Sequence, residues 1–364
     1  MLTKSYNNFW QRIHKSAKTK GFLLRVMFEL TYRCNFKCGH CYVPFGYRKL
    51  KELKTREVFS ILDQLKEMGC FYLGFTGGEP FLREDIFDIS WYAKKIGFQI
   101  IFYTNGSLID EARADELIRL NPNKVDITIP AMSKAAFERI SKVGGSHDKV
   151  FQAIELLYKN GINLGFKTCV LKENQDEIKD IQKFAKTLGA WHRLDSMLLP
   201  RLDGSKEPYR YRGRLKDKLV TGLPIRLRKR AGKLQVRNEK ANNYNSEYCA
   251  ESILDTRLSK AVLFKCGTGR IQAAITPLGE LKLCLMIDFP KFKILDTSLK
   301  DAWCRLKRLA SNIKPDKNYQ CHKCQLQPYC KWCPARGWLY NRSFTSCEPE
   351  NYRKAELTKQ LLNC

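Results

Sequence analysis

Between residues 23 and 200, two rhythms of apolar residues alternate. Short, largely apolar runs such as 24–30, interrupted only by Arg25 and Glu29, read as buried strands. Longer stretches carry apolar residues three and four apart. In 54–69, Val58, Ile61, Leu62, Leu65 and Met68 share one helical face, and Gly69 stands where a left-handed residue closes a helix. The pattern predicts strands over 24–30, 71–76, 99–104, 125–129, 163–170 and 194–199. It predicts helices over 54–69, 84–96, 110–120 and 175–188, and another around 150–159. Six such repeats imply a parallel sheet covered by helices, doubly wound or curled into a barrel. In either arrangement, functional residues collect in the loops at the C-terminal ends of the strands.

Beyond residue 200 this rhythm breaks. Residues 201–240 are dominated by Lys and Arg, opposed only by Asp203, Glu207, Asp217 and Glu239. A charge run of this kind is a solvated surface or a contact for an anionic partner. Tyr209, Tyr211 and Tyr244 are interleaved with it, but no nucleic-acid-binding motif accompanies them. Two short strands follow, 271–276 and 281–285, joined by a turn at Pro277, Leu278, Gly279 and Glu280. The expected organisation is therefore a basic arm (1–22), a β/α region (23–200), a basic connection (201–248), a cysteine-rich region (249–350) and a C-terminal helix (351–364). In the arm, Phe9, Trp10 and Ile13 can dock as one short helical face.

Composition narrows the class. The chain has 364 residues, 44% of them hydrophobic, enough for an ordinary core. It has no apolar run long enough to span a membrane and no export signal, so a cytoplasmic setting is expected. There, 15 cysteines point to metal ligation before disulfides. The formal charge of +28 would draw a nucleic acid, an anionic surface or an acidic peptide.

The cysteines fall into two arrays. Cys34, Cys38 and Cys41 lie in the loop after the first strand, and Tyr42 follows the last of them. Three thiolates at this spacing can hold three corners of a cuboidal iron–sulfur cluster and leave its fourth iron open to a small molecule. A zinc site or three unconnected thiols is the alternative, although no second cysteine pair follows closely. The later array comprises Cys266 and Cys284, then Cys321, Cys324, Cys330 and Cys333 with Pro334 after it, then Cys347. The short gap between its two Cys-x2-Cys pairs suits iron–sulfur ligation better than a zinc ribbon. Cys70 and Cys169 read as core thiols, and His40 as incidental to the first loop.

The Cys34-x3-Cys38-x2-Cys41 spacing, with Thr76-Gly77-Gly78-Glu79-Pro80 one strand later, resembles the radical S-adenosylmethionine (SAM) enzymes. Tyr103-Thr104-Asn105-Gly106 is similar to a further segment of that family, whereas its usual Ser-x-Asp-Gly is replaced here by Thr128, Ile129, Pro130 and Ala131. The later cysteines resemble the SPASM extension, departing from it in the Cys330-x2-Cys333 step.

The resemblance implies an α/β fold: an open partial (β/α)6 barrel with a small C-terminal cysteine-rich α+β domain. It implies a catalytic [4Fe–4S] cluster on Cys34, Cys38 and Cys41. SAM would be bound by Tyr42, Gly77, Gly78, Glu79, Asn105 and Thr128, and a 5′-deoxyadenosyl radical would abstract hydrogen from the substrate. Two auxiliary clusters are implied. One would use Cys321, Cys324, Cys330 and Cys347; the other would use Cys266, Cys284 and Cys333, with Cys249 as a candidate fourth ligand. The implied partners are a peptide or protein substrate, with an acidic leader peptide suiting the basic surface, and a low-potential donor such as flavodoxin or ferredoxin. Maturation of a ribosomally made peptide is the leading expectation. Sulfatase maturation is one alternative, although that branch carries an aspartate where Leu285 stands. Nucleic-acid binding or RNA modification is the other.

Overall fold

The computed structural model describes residues 21–213 and 263–363 except 265, 318 and 331, together with 12, 13, 16, 17 and 19. Six strands follow in chain order: β1 Arg25–Thr31, β2 Tyr72–Gly77, β3 Gln99–Thr104, β4 Lys124–Thr128, β5 Leu164–Cys169 and β6 Trp191–Asp195. Each pairs in parallel with the next. Helices α1 Thr55–Glu67, α2 Ile86–Lys95, α3 Glu111–Leu120, α4 Lys134–Ser141, α5 Ser146–Lys159 and α6 Ile178–Thr187 occupy the connections. The outer face of the sheet is apolar: Val26, Phe28, Leu73, Phe75, Phe102, Val125 and Phe166 are fully buried with Val58, Ile61, Leu62 and Leu65 of α1 in one core. Each such side chain gains about 1.5–3 kcal/mol on leaving water.

The inner face is different. It carries Met27, Gly74 and Tyr103 in mutual contact, the buried Lys124–Asp126 pair at 2.8 Å, and Lys167 over the Tyr103 ring at 3.6 Å. Polar inner positions explain where the sequence pattern misleads. The sixth strand is Trp191–Asp195 and not 194–199, because Trp191, Arg193 and Asp195 alternate onto the polar face and leave no apolar run. The buried residues Ser196, Met197 and Leu198 belong to the chain leaving that strand. Helix α4 is a further difference from the pattern, although Ser133 caps it by accepting from the Ala136 amide.

After the basic connection, β7 Gln272–Ile275 pairs in parallel with β1, and β8 Glu280–Cys284 and β9 Ile287–Lys293 add antiparallel to it. The result is one nine-stranded sheet, β6-β5-β4-β3-β2-β1-β7-β8-β9. The barrel is open, as expected. The cysteine-rich part, however, continues the barrel's sheet instead of building a separate one. Helices α7 Leu299–Asn312, α8 Pro334–Asn341 and α9 Pro349–Asn363 complete the described chain. Ile13 and Ala17 pack against Leu24 and Ile271, as the docking arm predicts for Ile13; Phe9 and Trp10 lie outside the described residues. Among the described residues, no helix is long and apolar enough to cross a membrane.

Candidate functional site

The first cysteine loop leaves the C-terminal end of β1 and is held from several directions. Lys37 N donates to Ser141 O at the end of α4 (2.9 Å), and Arg48 Nη1 donates to Cys34 O (3.0 Å). Asn35 Nδ2 donates to Ser107 Oγ at 2.8 Å, and Asn105 Nδ2 donates to Asn35 Oδ1 at 2.8 Å and points at Cys34 Sγ at 3.9 Å. The three thiols are electrostatic neighbours. Burial pushes Cys34 up to about 12, with Glu79 adding to the rise and Arg48 opposing it. Burial raises Cys38 as well, and so do Cys41 and Cys34 beside it. Cys41 is raised by burial, against the pull of Arg48 and Arg201. Thiols this reluctant to ionise become thiolates when a metal neutralises them. Burial pushes the His40 imidazole down to about 4, so it is neutral at pH 7.

The glycine pair at the end of β2 packs against backbone. A Cβ on Gly77 would meet Thr31 O at 2.0 Å, and one on Gly78 would meet Arg33 O at 2.1 Å. Gly77 also has φ +136°, a conformation that L side chains rarely adopt. The closeness makes two bonds: Gly78 N donates to Thr31 O at 2.7 Å, and Glu79 N to Arg33 O at 2.8 Å. Glu79 is fully buried and braces the loops. It accepts from Thr104 Oγ1 (2.7 Å), Asn105 N (2.7 Å) and Phe81 N (3.2 Å). Burial lifts its carboxyl to about 7, against those three donors. Thr128 ends β4, half-buried, opposite Lys167. Tyr42 donates its hydroxyl to Glu29 Oε1 at 3.2 Å.

Two contributors escape the sequence pattern. The beginning of the basic connection, expected as a solvated surface or a contact for an anionic partner, straps the cysteine loop. Leu202 N donates to Tyr42 O at 2.9 Å, Arg201 Nε to Cys41 O at 3.4 Å, and Arg201 Nη2 to Gly39 O at 3.4 Å. The Tyr211 ring lies so close over Gly39 that a Cβ there would come within 2.1 Å of it. Arg48 and Arg201 stack on Phe45, each 4.7 Å from the ring centre. Charge density hides this role, since nothing in a Lys/Arg run says which guanidinium turns inward. The second contributor is Cys169. It is half-buried against the hydrophobic core, as a core thiol would be, and burial and Asp195 raise it to about 12. Cys41 is among its charged neighbours, and Cys169 is among those of Cys38. Its place at the last residue of a parallel strand is the signal that points to it. Cys70 is a core thiol, as expected.

The later array brings several thiols near one another. Burial pushes Cys284 up to about 12, with Cys266 and Cys333 as its thiol neighbours. Cys347 is raised to about 11 by burial, with Cys330 and Cys324 beside it. Cys330 is raised by burial, with Cys324 and Cys333 beside it. Cys321 lies next to Tyr319, in the turn where Cys324 N donates to Cys321 O at 3.4 Å. Cys249 lies outside the described residues.

Among the described residues, no three Cys, His, Asp or Glu side chains gather tightly enough for a single metal ion. A cuboidal cluster sets its ligands on separate irons, so its thiolates need not converge on one point. The all-thiol donor sets and their mutual proximity fit such clusters.

An α/β sheet open at one side, with a three-cysteine loop at the C-terminal end of its first strand, defines the class. Residues 28–185 match the family model described as the Radical SAM superfamily, which marks that stretch as a radical SAM domain. It is 22% identical over 338 residues to an AdoMet-dependent heme synthase of Oleidesulfovibrio alaskensis (89% of this chain, 86% of the relative). It is 24% identical over 343 residues to mycofactocin maturase MftC of Mycolicibacterium smegmatis (89% and 81%). With the PqqA peptide cyclase of Gluconobacter oxydans it shares 29% identity over 168 residues, spanning 46% of this chain and 47% of the relative. Its fold is similar to that of Streptococcus suis SuiB bound to SAM, with TM-score 0.68 and 16% identity over 96% of this chain and 82% of the other. The structure of anSMEcpe with bound AdoMet has TM-score 0.68 and 18% identity, over 93% and 99%. The chain is a radical SAM iron–sulfur enzyme, and its family implies a [4Fe–4S] cluster and SAM. The C-terminal cysteines fit a cluster-binding domain of the SPASM type.

Proposed function

We propose that Cys34, Cys38 and Cys41 hold the cluster on which SAM binds, and that the enzyme matures a ribosomally made peptide. One observation carries the site: three thiols in mutual electrostatic contact at the mouth of the barrel, tied by Asn35 and Asn105 to the strand ends beside them. When bound, the cluster and SAM supply a 5′-deoxyadenosyl radical that removes a hydrogen atom from the substrate. The chain's own residues position that chemistry. Gly77 and Gly78 press the end of β2 onto the backbone leading into the loop, leaving the carbonyls of that turn to face the SAM ammonium. Glu79 braces the turn and keeps acceptor capacity on Oε2, where Asn105 N is its one bonded donor. Tyr42, Asn105 and Thr128 would contribute further contacts to SAM: Asn105 Nδ2 lies 3.9 Å from Cys34 Sγ, and Thr128 ends β4.

Cys321, Cys324, Cys330 and Cys347 form one auxiliary cluster site. Cys266, Cys284 and Cys333 form the other, with Cys249 as the candidate fourth ligand. The electrostatic grouping of these thiols supports the division. A flavodoxin or ferredoxin supplies the electron, and a peptide, with an acidic leader where one is present, is the substrate. The similarity to proteins named as a mycofactocin maturase and a PqqA peptide cyclase supports a peptide.

A second reading has its own support, since the alignment with a protein named as a heme synthase covers 89% of this chain. One experiment separates them. The reduced, anaerobic enzyme is given SAM with either acidic precursor peptides or an iron tetrapyrrole. A peptide product of changed mass formed together with 5′-deoxyadenosine supports the peptide reading. Turnover of the tetrapyrrole alone would replace it.

A further inference from the structure

A buried charge cluster joins the two cysteine-bearing parts of the sheet. Lys282 of β8 is 1% exposed at its side chain and Glu29 of β1 is 0% exposed, and Lys282 Nζ lies 3.0 Å from Glu29 Oε2. Tyr32 donates its hydroxyl to Glu29 Oε2 at 3.4 Å, and Tyr42 donates its own to Glu29 Oε1 at 3.2 Å. Lys282 Nζ also donates to Leu285 O at 3.1 Å. Lys282 pairs with Ala274 of β7, and Ala274 pairs with Met27 of β1, so the lysine reaches across one whole strand to its partner.

A buried ion pair gives little net stability compared with apolar residues of the same shape, so stability alone does not account for this one. What it does have is placement. Tyr42 follows Cys41, while Lys282 and Leu285 flank Cys284. The charged atoms therefore bind, by direct hydrogen bonds, the turn after the third cysteine of one site and the turn at a cysteine of the other.

We propose that Glu29 and Lys282, with Tyr42, are positioning residues that fix the Cys41 turn relative to the Cys284 turn and so set how the two metal sites face each other. This rests on the cluster assignments above. Glu29 makes the link directional: it accepts from a cation on the auxiliary side and from a phenol on the catalytic side, so removing either donor frees one turn from the other.

The test uses the full chain, reconstituted anaerobically, as Lys282→Met, Glu29→Gln/Lys282→Met and Tyr42→Phe. The double variant leaves no unpaired buried charge, and Tyr42→Phe removes only a hydroxyl, so both are built to fold. Hydrogen exchange at 41–43 and 284–287 is read beside the melting temperature, iron content and the shift in the cluster's electron paramagnetic resonance spectrum on adding SAM. We expect the double variant to keep its melting temperature and iron while both turns exchange at least about tenfold faster, and the SAM-induced change in the spectrum to be altered. Tyr42→Phe should loosen only the Cys41 turn. Unchanged exchange at both turns in a folded double variant would overturn the proposal and leave an ordinary buried ion pair. Because hydrogen exchange reads the turns whether or not metal loads, loosened turns in a protein that binds no cluster at Cys34, Cys38 and Cys41 would reject the site assignment while upholding the link.

Discussion

The two cysteine arrays are built in opposite ways. The loop at Cys34–Cys41 is braced from far along the chain: by Ser141, by Asn105 and Ser107, by Arg201 and Leu202, and by the Tyr211 ring. The run at Cys321–Cys333 is tied mainly to itself, through turns such as Gln327 N to Cys324 O (3.1 Å), Tyr329 N to Leu326 O (2.9 Å) and Cys330 N to Gln327 O (3.2 Å). Trp332 Nε1 donates to Ser346 O at 2.7 Å. Long-range braces hold a shape before any ligand arrives, whereas local turns leave the arrangement of the thiols to the metal. The first array is thus a prepared site for a small molecule, and the second a segment whose order is completed by what it binds.

The largest expected effect tests the role of the prepared site. Replacing Cys38 with Ala should abolish formation of 5′-deoxyadenosine from SAM in the reduced protein, while the C-terminal clusters, counted by iron, remain. Undiminished product from that variant would move the catalytic site elsewhere. Metal removal tests the contrast itself. Chelation should expose 321–333 to proteolysis or fast hydrogen exchange and leave 34–42 protected, because the first of these segments is tied mainly to itself. Equal loosening of both segments would erase the difference.

Next comes Glu79→Gln. The amide keeps one acceptor oxygen but loses the charge that holds Asn105 N and that, on the proposed reading, would face the SAM ammonium. A charge-assisted bond of this kind is worth about 1.5–3 kcal/mol, so SAM affinity should fall roughly tenfold to a hundredfold. Because Glu79 also braces the loops, isothermal titration should be paired with a melting curve. Unchanged affinity with a lowered melting temperature would restrict the residue to bracing.

Most of the barrel is legible in the sequence, because each outer face repeats its apolar residues at one fixed period. The cysteine spacing likewise points to the metal chemistry before any coordinates. What escapes such reading is set by partners distant in sequence. Arg201 and Tyr211 sit in a run whose composition suggests solvent, yet Arg201 is only 7% exposed. Lys282 stands in a short strand that no motif singles out, and the joining of β7 to β1 brings it inward against Glu29. β6 is displaced from its expected place because Arg193 and Asp195 interrupt the apolar period on the inner face. Local pattern reports the face that meets the helices; the inner face answers to the site and follows no such rule.

The smallest effect concerns the far edge of the barrel and asks whether acid acts on the prepared half by itself. His192 of β6 is half-buried, and its ring nitrogen Nε2 lies 3.0 Å from Thr168 Oγ1, whose hydroxyl donates to Ile129 O at 2.7 Å. Burial pushes the imidazole down from 6.5 to about 4. The sign follows from comparing the two states. Below pH 6.5 the unfolded chain takes up a proton at this residue, and the folded chain does not do so until near pH 4. The contribution of neutral His192 is therefore complete above pH 6.5 and is lost as the pH falls towards 4. A tenfold difference in proton affinity between the two states corresponds to about 1.4 kcal/mol, and partial exposure reduces this, leaving a slope worth about 1–2 kcal/mol across the window. His192→Gln should flatten that part of the stability curve. Unfolding of the variant between pH 7 and 4, followed by tryptophan fluorescence, measures the slope. A slope identical to that of the unaltered protein would show that the ring is not held neutral by the fold, and that the acid sensitivity of the barrel edge lies with other groups.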